Sequence, residues 1–446
     1  MLRCTRYNNI HIFGILPQKG RVFLLKRFTR AEKGWIMYDW ANSAFSAIIA
    51  AIILPNFYTE LTAGNTDAGT WWGYATSIAT LVCAVLAPFL GTLGDYQGYK
   101  KRLFTAFAII GIAATAALAF TADWKVMLMC YIVGTIGFNG SCVFYDGFLA
   151  DVTTPDRMDS VSTYGYGLGY IGGSTIPLLM AMGLIMFNEP IGISSTLACQ
   201  ISFMITAVWW LVFTIPMWKH VHQVNSIPQE GNVVHQTLTR MRSVGGKLLR
   251  NRGMLFFLLA YFFYIDGVGT IIHMATIFGQ NMGMGSTEMI VILLVVQIVA
   301  FPFAIMYGKL SKKFGVRNMI LTGIVTYMLV CFTALALEPL RQLGYGPLMG
   351  GFIALAFLVG TAQGGIQALS RSFFGKLVAG KNSNEYFGFF DIFGKFSAVI
   401  GPALFSLVWG ATQQVYLGIV PVLIMFVIGA VLFLCVPKDM KPIDQQ

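Results

Sequence analysis

Charged residues make up only 11% of this 446-residue chain, yet several recur at helical spacing inside long apolar runs. Trp35, Asp39, Asn42 and Ser46 stand at i, i+4, i+7 and i+11, which is one face of a helix. Asn139, Cys142 and Asp146 share a face of a second run, Asp266, Thr270 and His273 of a third, and Gln363, Gln367 and Arg371 of a fourth. A fifth run carries Asp391 and Lys395, acid first, the order that favours an i,i+4 ion pair. Groups of these types can exchange protons, hold a small polar solute, or form ion pairs that open and close. They do not suggest hydrolysis, because no Ser–His–Asp or paired-carboxylate arrangement stands in the context of an enzyme site. The seven cysteines are scattered without a CxxC pair, which argues against a disulfide framework and structural zinc. His220 and His222, in a polar segment, read as solvated rather than metal-binding. No metal or cofactor is expected, and the chain is not expected to be an enzyme.

An ionisable group in hydrocarbon costs about 2.5–3.5 kcal/mol on insertion scales, so each of these residues is a functional candidate. Depth along the runs separates two groups. Asp39, Asp146 and Asp391 fall within about two helical turns of one boundary, with Arg371 at its edge. They are expected to make inter-helix locks. Asp266, His273 and Lys395 lie deeper and are the candidates for meeting solute or proton, with Asn42 and Gln367 as neutral lining. The alternative for Lys395 is a simple pair with Asp391, and for His273 a bond to a nearby carbonyl. A carboxyl that takes up a proton in only one conformation is what proton coupling would require.

The runs that carry these residues define the class. Hydrophobic residues are 56% of the chain and the mean hydropathy is +0.69, whereas a soluble domain carries about 25% charged residues. A spanning helix needs about 20 apolar residues, and the chain divides into spans at 35–58, 71–93, 103–121, 126–149, 161–187, 194–217, 255–279, 285–308, 318–337, 347–371, 386–410 and 414–436. Of the 30 Lys and Arg, 27 lie in the tails and alternate loops on one side, and the opposite loops hold only Lys125 and Arg341. The positive-inside rule places that basic side, with both termini, in the cytoplasm. The +11 balance is therefore a topology signal, and nucleic-acid binding is not expected. The expected organisation is a basic tail (1–34), a six-helix bundle (35–217), a linker (218–254), a second six-helix bundle (255–436) and a short tail (437–446).

The halves repeat one another. Gly91, Leu93, Gly98 and Lys100 after the second span match Gly308, Leu310, Gly315 and Arg317 after the eighth, offset by 217. Trp35 to Asp39 in the first span is echoed by Tyr261 to Asp266 in the seventh. Gly98 and Gly315 permit a tight turn where a Cβ would clash. Asp95 is expected to sit against a helix N-terminus or a basic side chain as a lock. The second copy has Lys312 at that place, so the lock would be asymmetric. Twin bundles joined by a linker are the repeat logic of secondary transporters, with the pocket between them.

The Gly91–Lys100 loop resembles the loop motif of the major facilitator superfamily. Tyr38-Asp-Trp-Ala-Asn-Ser-Ala-Phe45 resembles the opening block of the family related to the autophagy-associated vacuolar amino-acid effluxer. Tyr261 to Gly267, Gly365-Ile-Gln-Ala-Leu-Ser-Arg-Ser372 and Phe387-Gly-Phe-Phe-Asp-Ile-Phe-Gly-Lys-Phe-Ser397 resemble its other blocks. The likeness covers nearly all of 33–437. It implies an all-α polytopic membrane protein of twelve transmembrane helices in two pseudo-symmetric bundles, the major facilitator fold, and suggests amino-acid efflux.

Two motifs mislead. Gly167, Gly169 and Gly172 spell a dinucleotide fingerprint, but no strand or βαβ unit accompanies them. They read as a small-residue face for close helix crossing. The run from Gly375 to Asn382 nearly matches a phosphate-binding loop but lacks its hydroxyl and its strand. The expected partners are the lipid bilayer, a small polar solute and, for coupling, protons, with the chain acting as a monomer in a cell or organelle membrane. A non-transporting sensor or scaffold on the same fold is the alternative.

Overall fold

A computed structural model describes residues 28–443 apart from 66, 230, 231, 381, 439 and 441, and apart from the side chains of 286, 287 and 395–399. Among the described residues the chain is helical. Its passages are α1 (Arg30–Leu61), α2 (Ala68–Gly94), α3 (Tyr99–Phe120), α4 (Trp124–Val152), α5 (Met158–Met186) and α6 (Ser195–His220). A linker helix, α7 (Val233–Arg250), follows. Then come α8 (Arg252–Asn281), α9 (Ser286–Phe314), α10 (Val316–Gln342), α11 (Tyr345–Leu377), α12 (Ser383–Thr412) and α13 (Val415–Leu434). Eleven of these are long and apolar enough to span a membrane. The twelfth passage is α12, whose charged start and Asp391 are followed by an apolar stretch at Ile400–Thr412.

Local chemistry sets where these helices begin. Thr29 and Glu32 form a reciprocal capping box at α1. Asp123, Ser194, Asn232 and Asn251 accept backbone N–H bonds at the starts of α4, α6, α7 and α8. Gly98 (φ +80°) and Gly315 (φ +83°) make the turns into α3 and α10 in the left-handed region where a side chain is strained. Apolar stripes such as Tyr74, Ile78, Leu81 and Val85 on α2 are exposed, a surface that fits lipid and not water.

Buried apolar residues form two cores. One runs from Phe28 to Val221 and the other from Val244 to Val436, so each half of the chain closes on itself. The repeat is not exact. α1 and α5 each widen into a π-helical stretch, at Phe45–Ile52 and Gly169–Thr175, whereas their counterparts α8 and α12 are regular α-helices. The π stretch of α5 lies against α1, where Gly173 leaves room for Ser43 and the Trp40 carbonyl.

Candidate functional site

The two bundles meet through polar groups in the halves of the helices nearest the face that carries the basic loops, called here the basic face. At its centre is a buried cation, Arg371 of α11, 3% exposed. Its guanidinium enters the first bundle. Nη2 donates to Asp39 Oδ2 of α1 at 3.2 Å, Nη1 to Asp146 Oδ1 of α4 at 3.1 Å, and Nε to Ser162 Oγ of α5 at 3.0 Å. Three rings enclose the same group, Tyr166 at 4.4 Å, Trp35 at 4.6 Å and Tyr145 at 5.3 Å. The cage is braced from behind. Tyr145 Oη donates to Asp39 at 2.7 Å, Trp35 Nε1 donates to the Tyr145 carbonyl at 2.7 Å, and the Trp35 and Tyr145 rings stack. A planar fork that also stacks is what arginine supplies and lysine does not.

Two further contacts flank the cage. Asp95, which follows α2 and has no exposed surface, accepts from the backbone N–H groups of Asn384 (3.1 Å) and Glu385 (2.8 Å) at the start of α12. A helix N-terminus favours a carboxylate through its free N–H groups and its dipole. Lys100 Nζ stands 4.0 Å from Asp95 and 2.9 Å from Asp151. Burial pushes the Asp95 carboxyl up to about 7, with Lys100 and the two N–H donors pulling against it and Glu385 adding to it. Backbones approach closely beside this contact. A Cβ on Gly388 of α12 would lie 2.5 Å from the Ala87 carbonyl of α2, and one on Gly91 would lie 2.7 Å from the Asn384 carbonyl.

On the other side of the seam the first bundle again supplies the acid, but the donors are side chains instead of helix amides. Asp159, at the start of α5, accepts from Ser372 (2.8 Å) and Ser311 (3.3 Å) and pairs with Lys376 at 2.6 Å. Sequence reasoning passed over Asp159 because it lies two residues before the expected span. Its signal was its place at the start of a helix, matching Glu385 at the start of α12. Lys312 replaces Asp95 in the second loop, and it is the neighbouring Ser311 that bonds across the seam, to Asp159.

The remaining candidates separate by position. Gln367 of α11 donates to Tyr170 Oη of α5 at 3.4 Å, across the seam. Asn42 of α1 donates to Cys142 of α4 at 3.8 Å within the first bundle. Asp266 is 0% exposed and lies between α8 and α12. Its Oδ1 accepts from Gly401 N at 2.9 Å, while Oδ2 is buried without a hydrogen-bond partner. His273, on the same helix face, is exposed. Asp391 is half-buried, and the Lys395 side chain lies outside the described residues. The structure thus brings Asp39, Asp146 and Arg371 into one cluster, puts Asp95 in a second, and leaves Asp266 and His273 apart from both. Among the described residues no group of three or more His, Cys, Asp or Glu could hold a metal ion.

The sequence profile of a family described as "Vacuole effluxer Atg22 like" matches residues 29–446. The chain belongs to this family. An MFS-type transporter of Bacillus subtilis (strain 168), YxiO, described as uncharacterized, is 45% identical over 424 residues, covering 93% of this chain and 97% of that one. Autophagy-related protein 22 of Botryotinia fuckeliana is 27% identical over 296 residues, 60% of this chain, and this chain spans about half (48%) of its length. Among solved structures, the transporter FucP in its outward conformation aligns with a TM-score of 0.66 at 12% identity, covering 93% of this chain and 99% of that one. A bacterial homologue of the iron transporter ferroportin in its outward-facing state aligns with a TM-score of 0.67 at 10% identity, over 91% and 98%. These two likenesses concern the fold. As a member of the Atg22-like family with the major facilitator fold, the chain is a polytopic membrane transporter.

Proposed function

We propose that this Atg22-like protein exports a small polar or zwitterionic solute of the amino-acid class by alternating access, coupled to protons, with its basic face in the cytoplasm. The observation that carries the reading is the caged Arg371. A single cation from one bundle is held by two carboxylates of the other, in a seam made of polar bonds that can part and re-form. Opening the basic face means withdrawing Arg371 from Asp39 and Asp146. A proton delivered to either carboxyl would remove one of its two ionic partners and ease that step. Efflux rests on the family's description as a vacuole effluxer, and the amino-acid class on the mix of carboxyl, amide, phenol and guanidinium groups at the seam. Asp266, closed off behind α12, suits a proton better than a solute in this conformation. The basic face is assigned to the cytoplasm on the lopsided distribution of Lys and Arg.

The test is flux. Purified protein in proteoliposomes should move labelled amino acids faster when a pH gradient is imposed, and Asp266→Asn should uncouple flux from that gradient. Transport indifferent to pH, and unchanged in both Asp266→Asn and Asp39→Asn, would remove proton coupling. Binding of a solute with no flux under any gradient would favour the sensor reading instead.

A further inference from the structure

We infer that linker helix α7 is a membrane-surface element whose outer edge docks onto anionic lipid headgroups at the basic face. The inner side of α7 is already occupied. Thr237, Val244 and Leu248 are buried. Arg240 donates to Glu385 Oε2 through two nitrogens at 2.9 and 3.2 Å and stands 5.9 Å over the Tyr96 ring. The preceding segment grips the loop of Asp95: Ile227 N donates to the Asp95 carbonyl at 2.9 Å, and Gln223 Nε2 donates to the carbonyls of Gly94 and Tyr96 at 3.0 Å. The linker therefore crosses the seam, holding the loop of the first bundle and the first turn of α12 in the second.

The apolar stripe of α7 is wider than the surface that covers it. At about 100° per residue, Val234, Leu238 and Leu249 fall in one narrow band beside the buried stripe. They are 56%, 45% and 63% exposed. Exposed Arg242 borders this band, and exposed Arg250 and Arg252 follow at the end of the helix. No acid occurs between Val233 and Arg252. A helix with an apolar edge and a purely basic flank fits the boundary between headgroups and acyl chains of an anionic leaflet. Chain continuity fixes the level: α7 ends at Arg250, and Asn251 caps α8, which begins at Arg252 and enters the membrane. Leu249 is thus held at headgroup depth. The docking does not depend on transport, although its consequence for the seam rests on the transporter reading: a charged leaflet would hold the linker against the Asp95 loop and the first turn of α12.

The experiment uses the full chain in nanodiscs of neutral phosphatidylcholine, alone or mixed with phosphatidylglycerol. An environment-sensitive fluorophore is placed on Leu238→Cys, Leu249→Cys or, as control, Ser243→Cys. The expected result is quenching of the first two by lipids brominated at the top of the acyl chain, severalfold stronger than at position 243 and increased by phosphatidylglycerol. Each basic residue near an anionic surface is worth about a fivefold preference, so R242Q/R250Q/R252Q should abolish the phosphatidylglycerol dependence. In the unsubstituted protein, trypsin should cut after Arg242 several times more slowly in the charged discs. Equal quenching at 238 and 243, or quenching and nicking indifferent to lipid charge, would overturn the proposal; a probe at 238 that stays in water would point to a soluble protein partner instead. None of these readouts measures flux, so their failure would leave the transport reading standing.

Discussion

Arg371 is worth most as the partner of two acids, Asp39, which is buried, and Asp146, which is half-buried. Removing one member of a buried ionic cluster costs about 3–5 kcal/mol, because the charge left behind stays out of water. Arg371→Gln should therefore lower the thermal midpoint in detergent sharply. The triple variant R371Q/D39N/D146N should recover much of the loss, since it strands no charge. Arg371→Lys keeps the charge but gives up the fork and the ring stacking, a desolvated cation–π contact being worth about 2 kcal/mol, and it should fall between. A triple variant no better than Arg371→Gln alone would contradict this account. Asp95 carries a pH prediction. Its carboxyl is pushed up to about 7 where the seam is closed, against about 3.9 when solvated. A raised value means that closing the seam takes up a proton, so the contribution of Asp95 is full below the solvated value and fades as pH rises through about 7. Paired labels across the seam should report a shift toward separation between pH 6 and pH 8, and Asp95→Asn should remove that shift.

At the level of helices, the crossing of α2 and α12 depends on two missing side chains. Leu at Gly388 would drive its Cβ into the Ala87 carbonyl, where backbone on both sides cannot yield as a flexible side chain can. A cysteine replacing Ser383, which is fully buried beside this crossing, should react with a water-soluble maleimide severalfold faster in Gly388→Leu than without it. The elements were legible in the sequence to different degrees. Long apolar runs exposed the spans because hydrocarbon allows few alternatives, and the stripes through Asp39, Asp146 and Arg371 pointed inward because lipid would penalise them. The π stretches of α1 and α5 were hidden; that of α5 lies where Gly169, Gly172 and Gly173 pack against Trp40 and Ser43 of α1, a tertiary contact that no local propensity records. Helix α7 was readable: Asn232 is a capping residue, and Thr237, Val244 and Leu248 repeat with helical period. It went unnoticed behind the polar composition of the linker.

On the scale of the whole molecule, the offset between the two loop motifs announced twin bundles, and the two separate cores show each half closing on itself. The meeting of the halves was less legible. A repeat implies matched contacts, yet here one side of the seam sets Asp95 against helix amides while the other sets Asp159 against two hydroxyls and Lys376. Which partner an acid finds across 200 residues of chain is decided by helix placement, and no local pattern records it. The cage also has a bearing on how the protein is made. Asp146 precedes Arg371 by 225 positions and Asp39 by 332. At about 5–20 residues per second on the ribosome, the first bundle must wait roughly ten seconds to a minute before the cation that balances its two acids is synthesised. A nascent N-terminal half is consequently an unfinished object, obliged to keep those carboxyls hydrated or protonated until its sister arrives, and it is at that stage that chaperones or quality-control proteases would meet it.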